Sequence, residues 1–296
     1  MDKTSIMNGA FPSSRPHPSS LAAWDPDFLS RSPMFEPLRS QAGAFGAEWP
    51  RLAELQRLLD ARDSPVCNAA GMPLRLVPQG RRRRVLEEKH EARTFLAGEL
   101  QVRERNWHDL FNLLAWLAFP RAKAALNARH YSALAAQRAA GTANRGPAQD
   151  ALTLFDEGGV VVASDDDELL GLLREWRWKE LFWSKRPRLI ARMRFHVFGH
   201  ALYEKALCPF NGITGRGIVL KTDQELLKSP LPEQLAGLDS RIAAYFADPG
   251  NLRATRELAV VPVLGVPGWC VDNEREVFYD DLDYFRPGRR TEQSES

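Results

Sequence analysis

From Val85 to Gln137 the apolar residues recur at the spacing of a helix, so whatever this chain folds into is helix-rich. The punctuation of the stretch is helical as well. One helix is predicted over Val85–Leu100 and a second over Trp107–Phe119. A third opens at Pro120, where the missing N–H costs nothing in a first turn. Asn106 stands directly before the second and is a good N-cap. Upstream, Trp49–Arg62 predicts another helix with Leu52, Leu55, Leu58 and Leu59 on one side, and Leu74–Pro78 predicts a short extended run. Ala133–Gln149 is alanine-rich and holds Gly141, Gly146 and Pro147, so it reads as a helix fraying into a linker.

The pattern then changes. Ala151–Phe155 and Val160–Ala163 are β-prone runs, and Asp156–Gly159 between them predicts a hairpin turn. Ser164–Asp167 reads as a cap with acids in the first turn, opening a helix to about Trp183 that carries Trp176, Trp178 and Trp183. Ala191–Val197 alternates like a strand, yet no breaker precedes Gly199, so Pro187–Leu207 is expected to be one continuous helix. Gly217–Lys221 predicts a strand, Pro232–Phe246 a helix and Leu258–Val263 a last strand, while Gly265–Pro287 is turns and aromatics. The expected fold is α+β, a helix-rich single domain with a small sheet in the C-terminal half. Its expected limits are residues 51–287, after a loosely ordered arm over 1–50 and before a disordered tail over 288–296. The arm holds Pro12, Pro16 and Pro18, with Trp24, Phe28 and Phe35 expected to dock on the body.

With 40 basic and 38 acidic residues the net charge is +2, which argues against a nucleic-acid partner and gives no pull toward an anionic membrane. The four arginines Arg81–Arg84 read as a solvated turn. Cys67, Cys208 and Cys270 are too few and too scattered for a disulfide framework or a cysteine zinc site. The apolar runs Leu110–Phe119 and Leu258–Val271 fall short of the roughly 20 residues a bilayer span needs, and Met1–Ala10 lacks the core of a signal peptide. The expectation is a soluble, cytoplasmic protein whose partner is an unspecified small molecule or protein.

Three constellations carry chemistry. The first is Asn106–Asn112. Around the helix, His108, Asp109, Asn112 and Trp116 fall within about 100° of one another, opposite Leu110, Phe111, Leu114 and Leu117. An imidazole beside a carboxylate is what a general base or a metal ligand needs, although Asp109 can equally serve the cap. The second is Lys123, Asn127 and His130, one helical face able to hold an anionic group or simply to be solvated. In the third, His196, His200 and Glu204 recur every fourth residue if the segment is helical. If Ala191–Val197 is a strand, only His200 and Glu204 stay aligned. With no clear third protein ligand, no metal and no cofactor is assigned. Gly212–Gly217 lacks the ending of a phosphate loop, and no serine sits in a nucleophile elbow.

Asn106–Asn112, the continuation Phe119–Asn127, Leu154–Gly158, Phe198–Lys205, Gly265–Trp269 and Phe278–Pro287 together resemble an uncharacterised bacterial family catalogued as domain of unknown function 3025. The resemblance covers roughly Val85–Pro287. It implies one shared domain, which weakens the linker near Gly141, and it implies no activity. Cys270 departs from the aromatic expected after Trp269. The shared motifs mark His108, Asp109, Asn112, Lys123, His200 and Glu204 as catalytic candidates. Asn106, Trp107, Asn127, Asp156 and Glu157 are marked as substrate-binding candidates. In such a set His108 or His200 is the base or a metal ligand, Asp109 or Glu204 orients it, and Lys123 stabilises an anion. Convergence in one cleft would favour an enzyme of hydrolase type; dispersal would favour a protein-binding module whose polar motifs are structural hydrogen-bond networks.

Overall fold

The computed structural model describes residues 23–42, 45–80, 90–141 and 145–288. The readings made for residues 1–22, for Arg81–Arg84 and for residues 289–296 lie outside these.

The first described residues fold onto the body. Phe28, Met34, Phe35 and Leu38, the last on helix α1 (Glu36–Ala42), are fully buried. Phe35 stacks on Phe111 at 5.7 Å between ring centroids, and Phe111 stacks on Tyr203 at 5.7 Å. Helix α2 (Leu52–Asp60) buries Leu55 and Leu59 and packs on strand β1 (Arg75–Pro78). The helix foreseen over Val85–Leu100 is described from its middle onward, as α3 (His90–Ala97), and it ends early. Gly98, at φ 65°, turns the chain into strand β2 (Glu99–Val102), parallel to β1. A side chain at Gly98 would stand 2.5 Å from the carbonyl of Pro73, so glycine is required at that turn.

Helix α4 (Trp107–Ala118) is apolar on nearly every face because it is enclosed, with α1 and α9 among its neighbours. Helix α5 (Pro120–Ala139) starts on the predicted proline, and two oxygens of the buried Asp239 carboxylate cap its first N–H groups, Arg121 and Ala122. The hairpin expected around Asp156–Gly159 is not formed. Pro147–Gly158 is instead helix α6, which buries Ala151, Leu152 and Phe155 on one side. Its proline at the first turn and its helical spacing outweighed the strand propensity of a five-residue run.

Strand β3 (Gly159–Ser164) follows at once and is buried along its whole length, since it is an interior strand of a four-stranded sheet ordered β4-β3-β5-β6. The helix after it, α7 (Asp167–Arg174), is capped by Asp166 and stops well before Trp183. Trp176 adopts a left-handed backbone, φ 60°, and a wide π-helical turn covers Glu180–Ser184, so the three tryptophans do not share a helix. The continuous helix expected over Pro187–Leu207 is likewise corrected. It divides into α8 (Arg186–Arg192), strand β4 (Met193–Val197) and α9 (His200–Ala206). The alternation seen in the sequence prevailed because β3 needs a partner on this side, and β4 supplies it antiparallel, with Val162 opposite Phe195. Strand β5 (Thr214–Lys221) runs parallel to β3. Helices α10 (Gln224–Lys228) and α11 (Leu231–Ala247) lead to strand β6 (Ala259–Pro262), antiparallel to β5. The fold is α+β, with most strands in the C-terminal half. Among the described residues no helix is long and apolar enough to cross a membrane.

Candidate functional site

Four helices bring their chemically equipped residues to one place. His108 lies in the first turn of α4, Lys123 on α5, Asp156 and Glu157 in the last turn of α6, and His200 and Glu204 on α9. At the junction of α6, β3 and α9 main chain meets main chain. Phe198 and Gly199 both donate backbone N–H groups to the Gly159 carbonyl, at 2.9 and 3.0 Å. A Cβ on Gly199 would stand 2.5 Å from the carbonyl oxygen of Glu157, and nearer still to the amide of Gly159. The bare backbones let α9 begin directly against the end of α6, which sets His200 beside Asp156 and Glu157.

The two imidazoles meet edge to edge. His200 Nε2 lies 3.0 Å from His108 Nε2, and the ring planes are 82° apart. Each ring has a carboxylate on its far side: Glu204 Oε2 is 3.2 Å from His108 Nδ1, and Asp156 Oδ2 is 3.9 Å from His200 Nδ1. A third carboxylate, Glu157 Oε1, sits 3.7 Å from His200 Nε2. One donor atom from each of His108, Glu157 and His200 lies within 4.8 Å of the others, a set able to hold a metal ion. Behind them, Lys123 Nζ donates to Asp156 Oδ1 at 2.5 Å and to Asn112 Oδ1 at 2.8 Å, between the rings of Trp116 and Phe198.

These neighbours set the charges. Hydrogen bonding to Glu204 raises the His108 imidazole above its usual range. Burial dominates at His200 and pushes it down to about 3, so this ring is neutral. Burial alone would raise Asp156, but the Lys123 ammonium overcomes it and holds the carboxyl well below the usual range. Burial raises the Glu157 carboxyl. The site is graded: the His200 side chain is 6% exposed, His108 30% and Glu157 43%.

Of the residues marked from sequence, His108, Lys123, Asp156, Glu157, His200 and Glu204 converge, with Asn112 holding Lys123 from behind. Asp109 and Asn106 serve the start of α4. Asn106 Oδ1 accepts the Asp109 amide at 3.0 Å, while the Asp109 carboxylate takes the Arg103 guanidinium at 2.8 Å through both oxygens. Trp107 is buried among Trp24, Trp49 and Phe111, away from the imidazoles' polar partners. His196 leaves the group altogether: on strand β4 it faces Gln234 Oε1, 3.3 Å away. Asn127 donates to the Glu91 carbonyl at 2.9 Å. With His130, Lys123, Asp156 and His90 it lines a cavity of about 40 Å³, room for a few water molecules. His90 was not singled out in the sequence, and its place on α3 carries no motif that would have shown it. The pairing of His108 with Glu204 was equally hidden, because the two belong to different motifs.

A family model described as "Protein of unknown function (DUF3025)" matches residues 74–289, which include every residue of this cluster. No curated protein and no solved structure matches.

Proposed function

The chain belongs to the DUF3025 family, and we propose that it is an enzyme of hydrolase type whose reacting water is held where His108, His200 and Glu157 face one another. One observation carries the reading: two imidazole nitrogens 3.0 Å apart, each ring backed by its own carboxylate. Such backing fixes the orientation of both rings, and at His108 it also raises basicity, as water activation requires. Lys123 serves by holding Asp156 ionised behind His200. Glu157, the most exposed of the group, opens it to solvent. Three unpaired thiols suit the reducing cytoplasm, which is part of this proposal.

The test is turnover of a panel of carboxylate and phosphate esters by the full-length chain and by His108→Asn. His108 is part-exposed, so the variant should keep its melting temperature while losing about 10²–10⁴-fold in rate on the hydrolysed ester. Wild-type turnover no faster than that of the variant on every ester would remove the proposal.

A further inference from the structure

We infer that His108 Nε2, His200 Nε2 and the Glu157 carboxylate bind one divalent transition-metal ion, with Glu204 and Asp156 as the outer carboxylates that orient the two imidazoles. The inference deepens the hydrolase reading and rests on it, since it names what activates the water.

The hydrogen-bond directions call for a cation. Glu204 accepts the N–H on His108 Nδ1, which leaves the neutral ring a lone pair at Nε2. His200 Nδ1 is buried without a hydrogen-bond partner and looks at Asp156 Oδ2, a field that draws its N–H to that side. Both Nε2 atoms then point bare lone pairs at each other across 3.0 Å. A proton between them would relieve the conflict, but it bridges two atoms and leaves the Glu157 carboxylate outside the bond. A metal ion takes all three donors.

Two of the three distances agree. An ion with tetrahedral bonds of about 2.0–2.1 Å separates its ligand atoms by roughly 3.4 Å. The observed 3.0 Å between the nitrogens and 3.7 Å from His200 Nε2 to Glu157 Oε1 bracket that value; His108 and Glu157 stand wider, within 4.8 Å, so the part-exposed Glu157 side chain closes in on the ion.

The charge on α6 points the same way. Asp156 and Glu157 close the helix at the end where its dipole disfavours anions. Lys123 answers Asp156 at 2.5 Å, whereas Glu157 faces the neutral His200 ring at 3.7 Å. The grading of exposure, from His200 inside to Glu157 outside, leaves the solvent side of the ion free for water, as a catalytic centre needs. Two imidazoles and one carboxylate suit zinc or ferrous iron; calcium and magnesium prefer oxygen alone.

The experiment titrates Zn²⁺ into the full-length, chelator-stripped chain by calorimetry, with Mg²⁺ as control. Expected is one Zn²⁺ per chain with sub-micromolar affinity and no Mg²⁺ heat. His108→Asn and Glu157→Gln should each weaken Zn²⁺ at least tenfold, and Glu204→Gln by about 10–100-fold, with all three still folded by circular dichroism. Zn²⁺ affinity unchanged in both His108→Asn and Glu157→Gln, or no micromolar binding by the wild type, would overturn the inference. Ester turnover separates the two ideas. Zn²⁺ bound through these residues without turnover keeps the metal and removes the hydrolase. Turnover that survives stripping and Glu157→Gln keeps the hydrolase and removes the metal.

Discussion

Lys123 carries its charge into an interior where its side chain is 4% exposed, and two oxygens and two aromatic faces receive it there. A buried cation so placed is worth more to its partner than to itself. Lys123→Met strands the Asp156 carboxylate, and we expect a loss of about 3–5 kcal/mol in unfolding free energy by urea denaturation. Adding Asp156→Asn to that variant should restore a large part of it; no recovery would show that Lys123 acts through packing alone. At this scale the sequence was readable wherever a residue serves its own helix. The Asn106 cap and the helix-opening Pro120 follow from local rules, and the structure forms both. Residues whose partners lie on another helix were not. Asp109 has the spacing to answer the cap, yet Arg103 captures it, and Glu204 takes the role beside His108 that Asp109 was the local candidate to fill. Side chains on one turn advertise one another, while pairs assembled by packing leave no spacing to read.

Among the elements, the junction of α6 with α9 decides whether the two imidazoles can meet. Gly199→Ala would press a methyl group against the carbonyl of Glu157 and the amide of Gly159, both main chain. Neither can swing aside as a side chain would, so α9 must back away. We expect a loss of about 1–3 kcal/mol in stability, with zinc affinity falling as His200 withdraws from His108. A variant as stable as wild type, binding zinc equally well, would show that the close approach is not needed. Most helix starts were legible from caps and prolines. Two of the misread stretches share a cause. Ala151–Phe155 is a short apolar run and Ala191–Val197 a short alternating one inside a longer helix-like stretch, segments too short to decide between helix and strand, and tertiary contacts chose between them. Strand β3 recruited Met193–Val197 as its antiparallel neighbour, while Ala151–Phe155 found its burial against other helices.

Over the whole molecule, buried neutral histidines make the fold acid-sensitive. Burial lowers His90, His130 and His196, the last to about 4 against an ordinary 6.5. Between those two values the unfolded chain binds a proton that the folded chain refuses. The stability owed to neutral His196 is therefore complete above pH 6.5 and is lost as pH falls toward 4. At pH 5 that amounts to about 2 kcal/mol, so His196→Gln should lose less stability between pH 7 and pH 5 than wild type by about that much, measured by urea midpoints. Parallel losses in the two proteins would contradict this. The α+β class was visible because it depends on the balance of helical and strand-like stretches, which single errors do not overturn. The shape of the site was not, because no composition or period states that four helices end at one point. X-ray absorption at the zinc edge of the loaded full-length chain tests that convergence most directly. Expected are two imidazole nitrogens at about 2.0–2.1 Å and oxygen in the remaining positions, with one nitrogen missing in His108→Asn. A first shell of oxygen alone, or one containing sulfur, would contradict it.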